Sequence, residues 1–262
     1  KKSDAKRAFA IIANPHTGKI LALANHPTFD PNKTNSLLLE NTLNLAVATQ
    51  LEPGSVLKPI IIASALEQGT IKEHDLHYCE KTGKYQVDKE SFIHDEHPKA
   101  FMTTAEVIIH SSNICSYKIA QSLNKKAVYT SIKTFGFGGS KKILGLPGEK
   151  TGQLSNWTNW KPIRFANIAF GQGLLVTGLE IIQAFGVFAN GGYLIKPHIV
   201  ERIESSSEEI FQEPPLLSKK RILSHKTAQI MKKILHSVVL EGTGKNAALS
   251  NYTSAGKTGT VE

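Results

Sequence analysis

Apolar and polar residues alternate at both ends of this chain and recur at helical spacing between them. RAFAIIANPHTGKILALANHP reads as two short strands around a Pro15-His16-Thr17-Gly18 turn, which predicts a hairpin. LLLENTLNLAVATQ is apolar at helical spacing until Pro53-Gly54 breaks it. Ser55 to Glu67 then runs apolar and free of glycine up to Gly69, the pattern of a buried helix. Residues 70–100 are polar and irregular. TTAEVIIH opens with a capping box, Thr103 reaching to Glu106, and further helices are predicted from near Asn113 and over KKAVYTSIKTF, the latter stopped by Gly136. GFGGSKKILGLPGEKTGQLSNWTNW is loop-heavy. Helices follow over residues 162–170, from the Thr177/Glu180 capping box to Asn190, and from Ser224 to Leu240. GGYLIKPHIVERI reads as a turn and a strand, and NYTSAGKTGTV alternates as another strand. Strands at both ends with helices between predict an α/β (α+β) fold. In it the end strands pair in one antiparallel sheet flanked by helices, with an inserted helical subdomain at roughly 70–170.

The totals change this picture little. A chain of 262 residues can bury a real core as one large domain or two modest ones. Its net charge of +9 suits an anionic partner such as nucleic acid, anionic lipid or an acidic wall polymer. The charges are dispersed, however. The densest cluster is Lys219-Lys220-Arg221, and no stretch interleaves aromatics with basic residues, so the pattern argues against nucleic acid. No apolar run reaches the length of a membrane span. Cys79 and Cys115 have neither CxxC nor metal-ligand spacing, which argues against a metal site and leaves a disulfide open. His94 and His97 flank Asp95-Glu96; the cluster is read as a polar surface loop in preference to a ligand set.

Candidate chemistry begins with serine and lysine three apart, which share one face of a helix as nucleophile and base. The string occurs at Ser3/Lys6, Ser55/Lys58, Ser122/Lys125 and Ser254/Lys257. Only Ser55 follows a turn and opens an apolar helix, so its backbone N–H faces outward from a first turn. Lys58 then falls within the apolar face, where desolvation lowers an ammonium pKa. Ser111-Ser112-Asn113 is a second element; taken alone, a serine so placed is a helix N-cap. Lys-Thr-Gly occurs at Lys81, Lys150 and Lys257, and only the third follows Ser111 within an alternating segment.

Ser-x-x-Lys, Ser-x-Asn and Lys-Thr-Gly in that order form the motif set of penicillin-binding proteins and serine β-lactamases. With EPGSVLKP, SSNI, FGFG, LPGE, GQGLLVT, ANGGYLIKPHIV, EGTG and AGKTGT, the chain from Ala8 to Val261 resembles the transpeptidase domain of class B penicillin-binding proteins. The resemblance implies a serine β-lactamase/transpeptidase-like fold over residues 1–262. The function it implies is D,D-transpeptidation of peptidoglycan stem peptides through a serine acyl-enzyme that β-lactams trap. Ser55 would be the nucleophile, Lys58 its base, Ser111 a proton relay and Lys257 a nearby positive charge. Asn113 would hold the substrate amide, and Thr258, Gly259 and Thr260 would bind the substrate, Thr258 and Thr260 at its carboxylate. The oxyanion hole would be the N–H groups of Ser55 and Thr260. No metal or cofactor is implied. The implied setting is extracytoplasmic, on the periplasmic face of the inner membrane, with an N-terminal anchor in the full-length protein and other wall-synthesis or division proteins as partners.

Two departures from the family stand out. Cys115 occupies a position where relatives often carry a small residue such as Gly; it reads as a small packing hydrophobe rather than a reactive thiol. In the family, two more strands and a helix follow the Lys-Thr-Gly strand, so the sheet is expected to be incomplete here. Among rivals, a class A β-lactamase would need its Glu-x-x-Leu-Asn motif after Ser-x-Asn. The matching Glu40 to Asn44 string comes before Ser55 and reads as part of an apolar helical face. A non-enzymatic β-lactam receptor or a D,D-carboxypeptidase would share the acylation step, and only an acyl-transfer assay separates them.

Overall fold

The computed structural model of the chain describes residues 4–33, 38–204, 209–212 and 220–260; Ser3, Lys219 and Val261, named above, lie outside them. The first alternating stretch forms its hairpin: β1 (Ala8–Ala13) and β2 (Ile20–His26) pair antiparallel, Ala8 opposite His26, with a register shift at Ile12/Ala13. LLLENTLNLAVATQ is not one helix. It divides into a 3-10 turn at Leu39–Thr42 and a single helical turn, α1 (Leu45–Ala48), before β3 (Gln50–Leu51). The cause is a contact from the hairpin. Asn25 of β2 accepts the Ala46 N–H at 3.0 Å and donates to Asn44 at 3.2 Å, so the helical turn starts against the strand. Leu45, Ala46 and Val47 are buried while Leu39 and Leu43 stay exposed, and Glu40 is exposed as well.

The buried helix is present, entered through a 3-10 turn at Gly54–Leu57, with regular helix α2 at Lys58–Glu67. Every residue from Lys58 to Ala65 is buried. A helix apolar around its whole circumference belongs at the centre of a molecule. Here α3 (Thr104–Ile109), α4 (Asn113–Leu123), α5 (Lys125–Thr134) and α8 (His225–Leu240) pack around it. Both predicted capping boxes form: Thr103 and Glu106 start α3, and Thr177 and Glu180 start α7 (Gly178–Ala189). α6 (Pro162–Ala169) begins at its proline, and Ser224 caps α8.

Three expectations are corrected. Residues 70–100 are not irregular throughout: β4 (Leu76–Tyr78) pairs with β7 (Phe101–Thr103), and β5 (Lys84–Gln86) with β6 (Phe92–His94), all antiparallel. Strands of three residues are too short to show a period-2 pattern against a polar background. Cys79 and Cys115 form a disulfide, so Cys115 is not a free packing thiol. The bond joins the residue after β4 to the first turn of α4. Finally, NYTSAGKTGTV forms no strand among its described residues, and the end segments do not pair in one sheet. Its backbone is used elsewhere: the Gly256 N–H bonds the Leu235 carbonyl of α8 at 3.1 Å. The remaining strands also lie in pairs. β3 pairs with β8 (Val176–Thr177), β9 (Tyr193–Leu194) with β12 (Lys220–Arg221), and β10 (Arg202–Glu204) with β11 (Glu209–Gln212).

Candidate active site

The β3–β8 pairing fixes Gln50 opposite Thr177 and delivers the chain into the turn before α2. Gly54 sits in that turn at φ +53°, its N–H bonded to the Gly171 carbonyl at 3.0 Å. A Cβ at Gly54 would lie 2.4 Å from the Thr260 carbonyl oxygen, and one at Gly259 would lie 3.0 Å from the Pro53 carbonyl oxygen. Only glycines allow the two backbones to approach so closely. The third Lys-Thr-Gly copy therefore runs directly along the Ser55 turn. Lys81 and Lys150 lie in a turn and a loop, and neither lines the cleft at Ser55. The rival serines are placed differently too. The Ser122 hydroxyl bonds the Ile119 carbonyl late in α4, and Ser254, expected in a strand, bonds Ala247 through its hydroxyl.

Ser55, Ser111, Asn113, Thr258 and Thr260 line one cleft of about 690 Å³. Lys58 is fully buried behind it. Its Nζ donates to the Ser111 carbonyl at 2.5 Å, to Ser111 Oγ at 3.1 Å and to Asn113 Oδ1 at 2.6 Å. Burial first, and the Lys257 ammonium second, pull the Lys58 amine from 10.5 down to about 7, against an opposing pull from the Asp95 and Glu96 carboxylates. A buried amine near neutrality can accept a proton from an alcohol, whereas an exposed lysine at pH 7 cannot.

Ser111 presents its carbonyl and hydroxyl to the same nitrogen because its backbone is left-handed, φ +61°. A serine in that region is strained by about 1–3 kcal/mol, so neighbouring contacts must hold it. Ser112, the middle residue of the motif, caps α4: its hydroxyl accepts the Cys115 N–H at 3.0 Å. The capping expected of Ser-x-Asn thus falls to Ser112, leaving Ser111 and Asn113 to face Lys58. Lys257 makes its hydrogen bonds within its own segment and to Thr243. Its Nζ bonds the Thr258 carbonyl at 3.1 Å, Thr258 Oγ1 at 3.2 Å and Thr243 Oγ1 at 3.5 Å, and reaches Lys58 only through its field. Burial lowers its own amine to about 8.

The polar surface loop predicted at His94–His97 is instead a wall of this cleft. The His94 carbonyl accepts Asn113 Nδ2 at 2.8 Å, and Asp95 is nearly buried against α4. Thr243 and Gln172 also line the cleft. Their stretches, EGTG and GQG, carry the resemblance, but nothing in their spacing singles out these two side chains. Among the described residues no cluster of His, Cys, Asp and Glu is built to hold a metal ion.

Comparison with known proteins places this geometry in a family. The model of the penicillin binding protein transpeptidase domain matches residues 8–262. The FtsI homolog of Mesostigma viride, a peptidoglycan D,D-transpeptidase, is 32% identical over all of this chain and 47% of its own length. Stage V sporulation protein D of Bacillus subtilis is 34% identical over 97% of this chain and 39% of its own length. The chain thus spans less than half of these relatives. Among solved structures, penicillin binding protein 3 of Mycobacterium tuberculosis, complexed with aztreonam, superposes with a TM-score of 0.87 at 30% identity, covering 98% of this chain and 58% of that one. The transpeptidase domain of Burkholderia pseudomallei penicillin-binding protein 3 gives 0.82 at 28% identity, over 98% of this chain and 70% of that one. The expected transpeptidase-like fold class is borne out, though without one sheet joining the end segments, and the chain belongs to the penicillin binding protein transpeptidase domain family.

Proposed function

We propose that the protein is a peptidoglycan D,D-transpeptidase working through a Ser55 acyl-enzyme. The observation that carries this reading is the buried Lys58 amine, lowered to about 7 and held by Ser111 and Asn113 at the cleft that Ser55 lines. Ser55 Oγ attacks the carbonyl carbon of the amide joining two D-residues of a stem peptide, and its proton passes to Lys58 Nζ. The C–N bond breaks as Ser111 hands that proton to the departing amine. A second stem peptide's amine then attacks the ester, returning a proton through Ser111 and Lys58 and freeing Ser55. Backbone N–H groups of Ser55 and Thr260 receive the developing oxyanion, and Asn113 holds the substrate amide. Thr258, Gly259 and Thr260 bind the substrate, Thr258 and Thr260 receiving its carboxylate beside the Lys257 charge. A placed base is worth about 10²–10⁴-fold and an oxyanion donor about 10²–10³-fold.

A β-lactam follows the first step, but its cleaved nitrogen stays tethered, so the ester persists. Residues 1–262 act as one transpeptidase unit, with residues of roughly 70–170 forming the subdomain around α4. Wall substrate and the Cys79–Cys115 disulfide both favour an extracytoplasmic setting, where disulfides persist. Other wall-synthesis or division proteins are its expected partners.

The test is intact-protein mass spectrometry with a penicillin, followed by peptide mapping. One equivalent of stable adduct on Ser55, abolished by Ser55→Ala, is the expected outcome. Adduct on Ser122 or Ser254 would sink the assignment, and rapid turnover of the adduct would point to a β-lactamase. Transfer of a stem-peptide acyl group to an amine acceptor separates a transpeptidase from a receptor.

A further inference from the structure

Asp95 takes no part in the steps above, yet both oxygens of its carboxylate are committed to the Ser-x-Asn motif. Oδ2 accepts the Ser112 hydroxyl at 2.5 Å; Oδ1 accepts the N–H groups of Asn113 at 2.5 Å and Ile114 at 3.0 Å. The side chain is 9% exposed and stands at the N-terminus of the 11-residue helix α4, where a negative charge meets unpaired N–H groups and the positive helix pole. The Ser112 hydroxyl bridges this carboxylate to the Cys115 N–H. One residue upstream is the left-handed Ser111; one residue downstream is Asn113, whose amide the neighbouring His94 carbonyl also holds.

We propose that Asp95 is a positioning residue for proton transfer: by gripping Ser112, Asn113 and Ile114 it fixes the turn that aims Ser111 and Asn113 at Lys58 Nζ. The assignment rests on reading Ser55 and Lys58 as nucleophile and base. Strain at Ser111 needs an anchor close by, and a nearly buried carboxylate with three donors is a strong one. Its charge acts on the same base. Of the charged groups around Lys58, Lys257 from the C-terminal segment disfavours the ammonium, while Asp95 and Glu96 from the loop after β6 favour it. His94, His97 and His110 line the same cleft.

The second-order rate of penicillin adduct formation, measured across pH, tests the role. In the wild type the rate should climb through about pH 7 as Lys58 loses its proton. Asp95→Asn keeps the side-chain shape and an acceptor for the α4 amides but removes the charge. Its rising limb should move to lower pH, with the plateau reduced only severalfold. Asp95→Ala should lower the plateau about tenfold or more, as expected for a displaced catalytic group. Ser112→Ala should lower the plateau without moving the limb. A carboxylate that merely supports the fold would lower melting temperature or plateau and leave the limb in place. An unmoved limb in Asp95→Asn, or an unchanged plateau in Ser112→Ala, overturns the proposal even where Asp95→Ala does not fold. A wild-type protein without adduct on Ser55 would instead remove the reading beneath it.

Discussion

Lys58 and Lys257 carry lowered amines, about 7 and about 8, and the proposed reaction needs the first neutral and the second charged. Acylation is therefore expected to peak in a narrow window between those values, its two limbs belonging to the pair rather than to either residue. Removing the Lys257 charge lets Lys58 hold its proton more tightly, so Lys257→Met should shift the rising limb to higher pH and lower the maximum. A pH profile of adduct formation checks both, and a limb that stays put would remove Lys257 from the circuit. Folding pays for this tuning. A lysine whose folded pKa lies below its unfolded value destabilises the protein most below about pH 7, and relief comes as pH rises toward the ordinary lysine range. Ser55, Lys58, Ser111 and Asn113, which meet at one cleft, were legible in the sequence because the resemblance to a known family marks their motifs in that order. Asp95 was not: its partners lie 17 to 19 residues away, and HDEH reads locally as a solvated loop.

Helices showed plainly because their ends are written in side chains: capping boxes at Thr103 and Thr177, a proline at Pro162, a serine cap at Ser224. The paired strands between Leu76 and Thr103 left no such mark, since each exists through a partner 6 to 27 residues distant in the ladder rather than through its own pattern. The Lys-Thr-Gly segment had the pattern of a strand but spends its backbone on α8 and its glycine on the Ser55 turn. One covalent link joins β4 to α4. It closes a loop across a sequence separation of 36, worth about 2–4 kcal/mol by restricting the unfolded chain. Replacing Cys79 and Cys115 by alanine, or adding reductant, should lower the melting temperature by several degrees. Equal melting of reduced and oxidised protein would show that the bond adds nothing.

The central position of α2 ties stability to chemistry across the molecule. Ile61 is fully buried in the cluster that α3, α4, α5 and α8 share with α2. Ile61→Ala should cost about 2–5 kcal/mol in denaturant unfolding, and it should also slow acylation because the same helix carries Lys58. A cost below about 1 kcal/mol would mean that the neighbouring helices collapse into the gap. The cleft has two unlike sides. On one, the Ser55 turn and α2 are enclosed by core; on the other, residues 92–97 and 256–260 are exposed or half-buried apart from Ile93 and Asp95. Sequence drift can therefore reshape this site most freely from that second side. A variant that admits its substrate and turns away an inhibitor must change those walls, because any change to α2 is felt first by the fold.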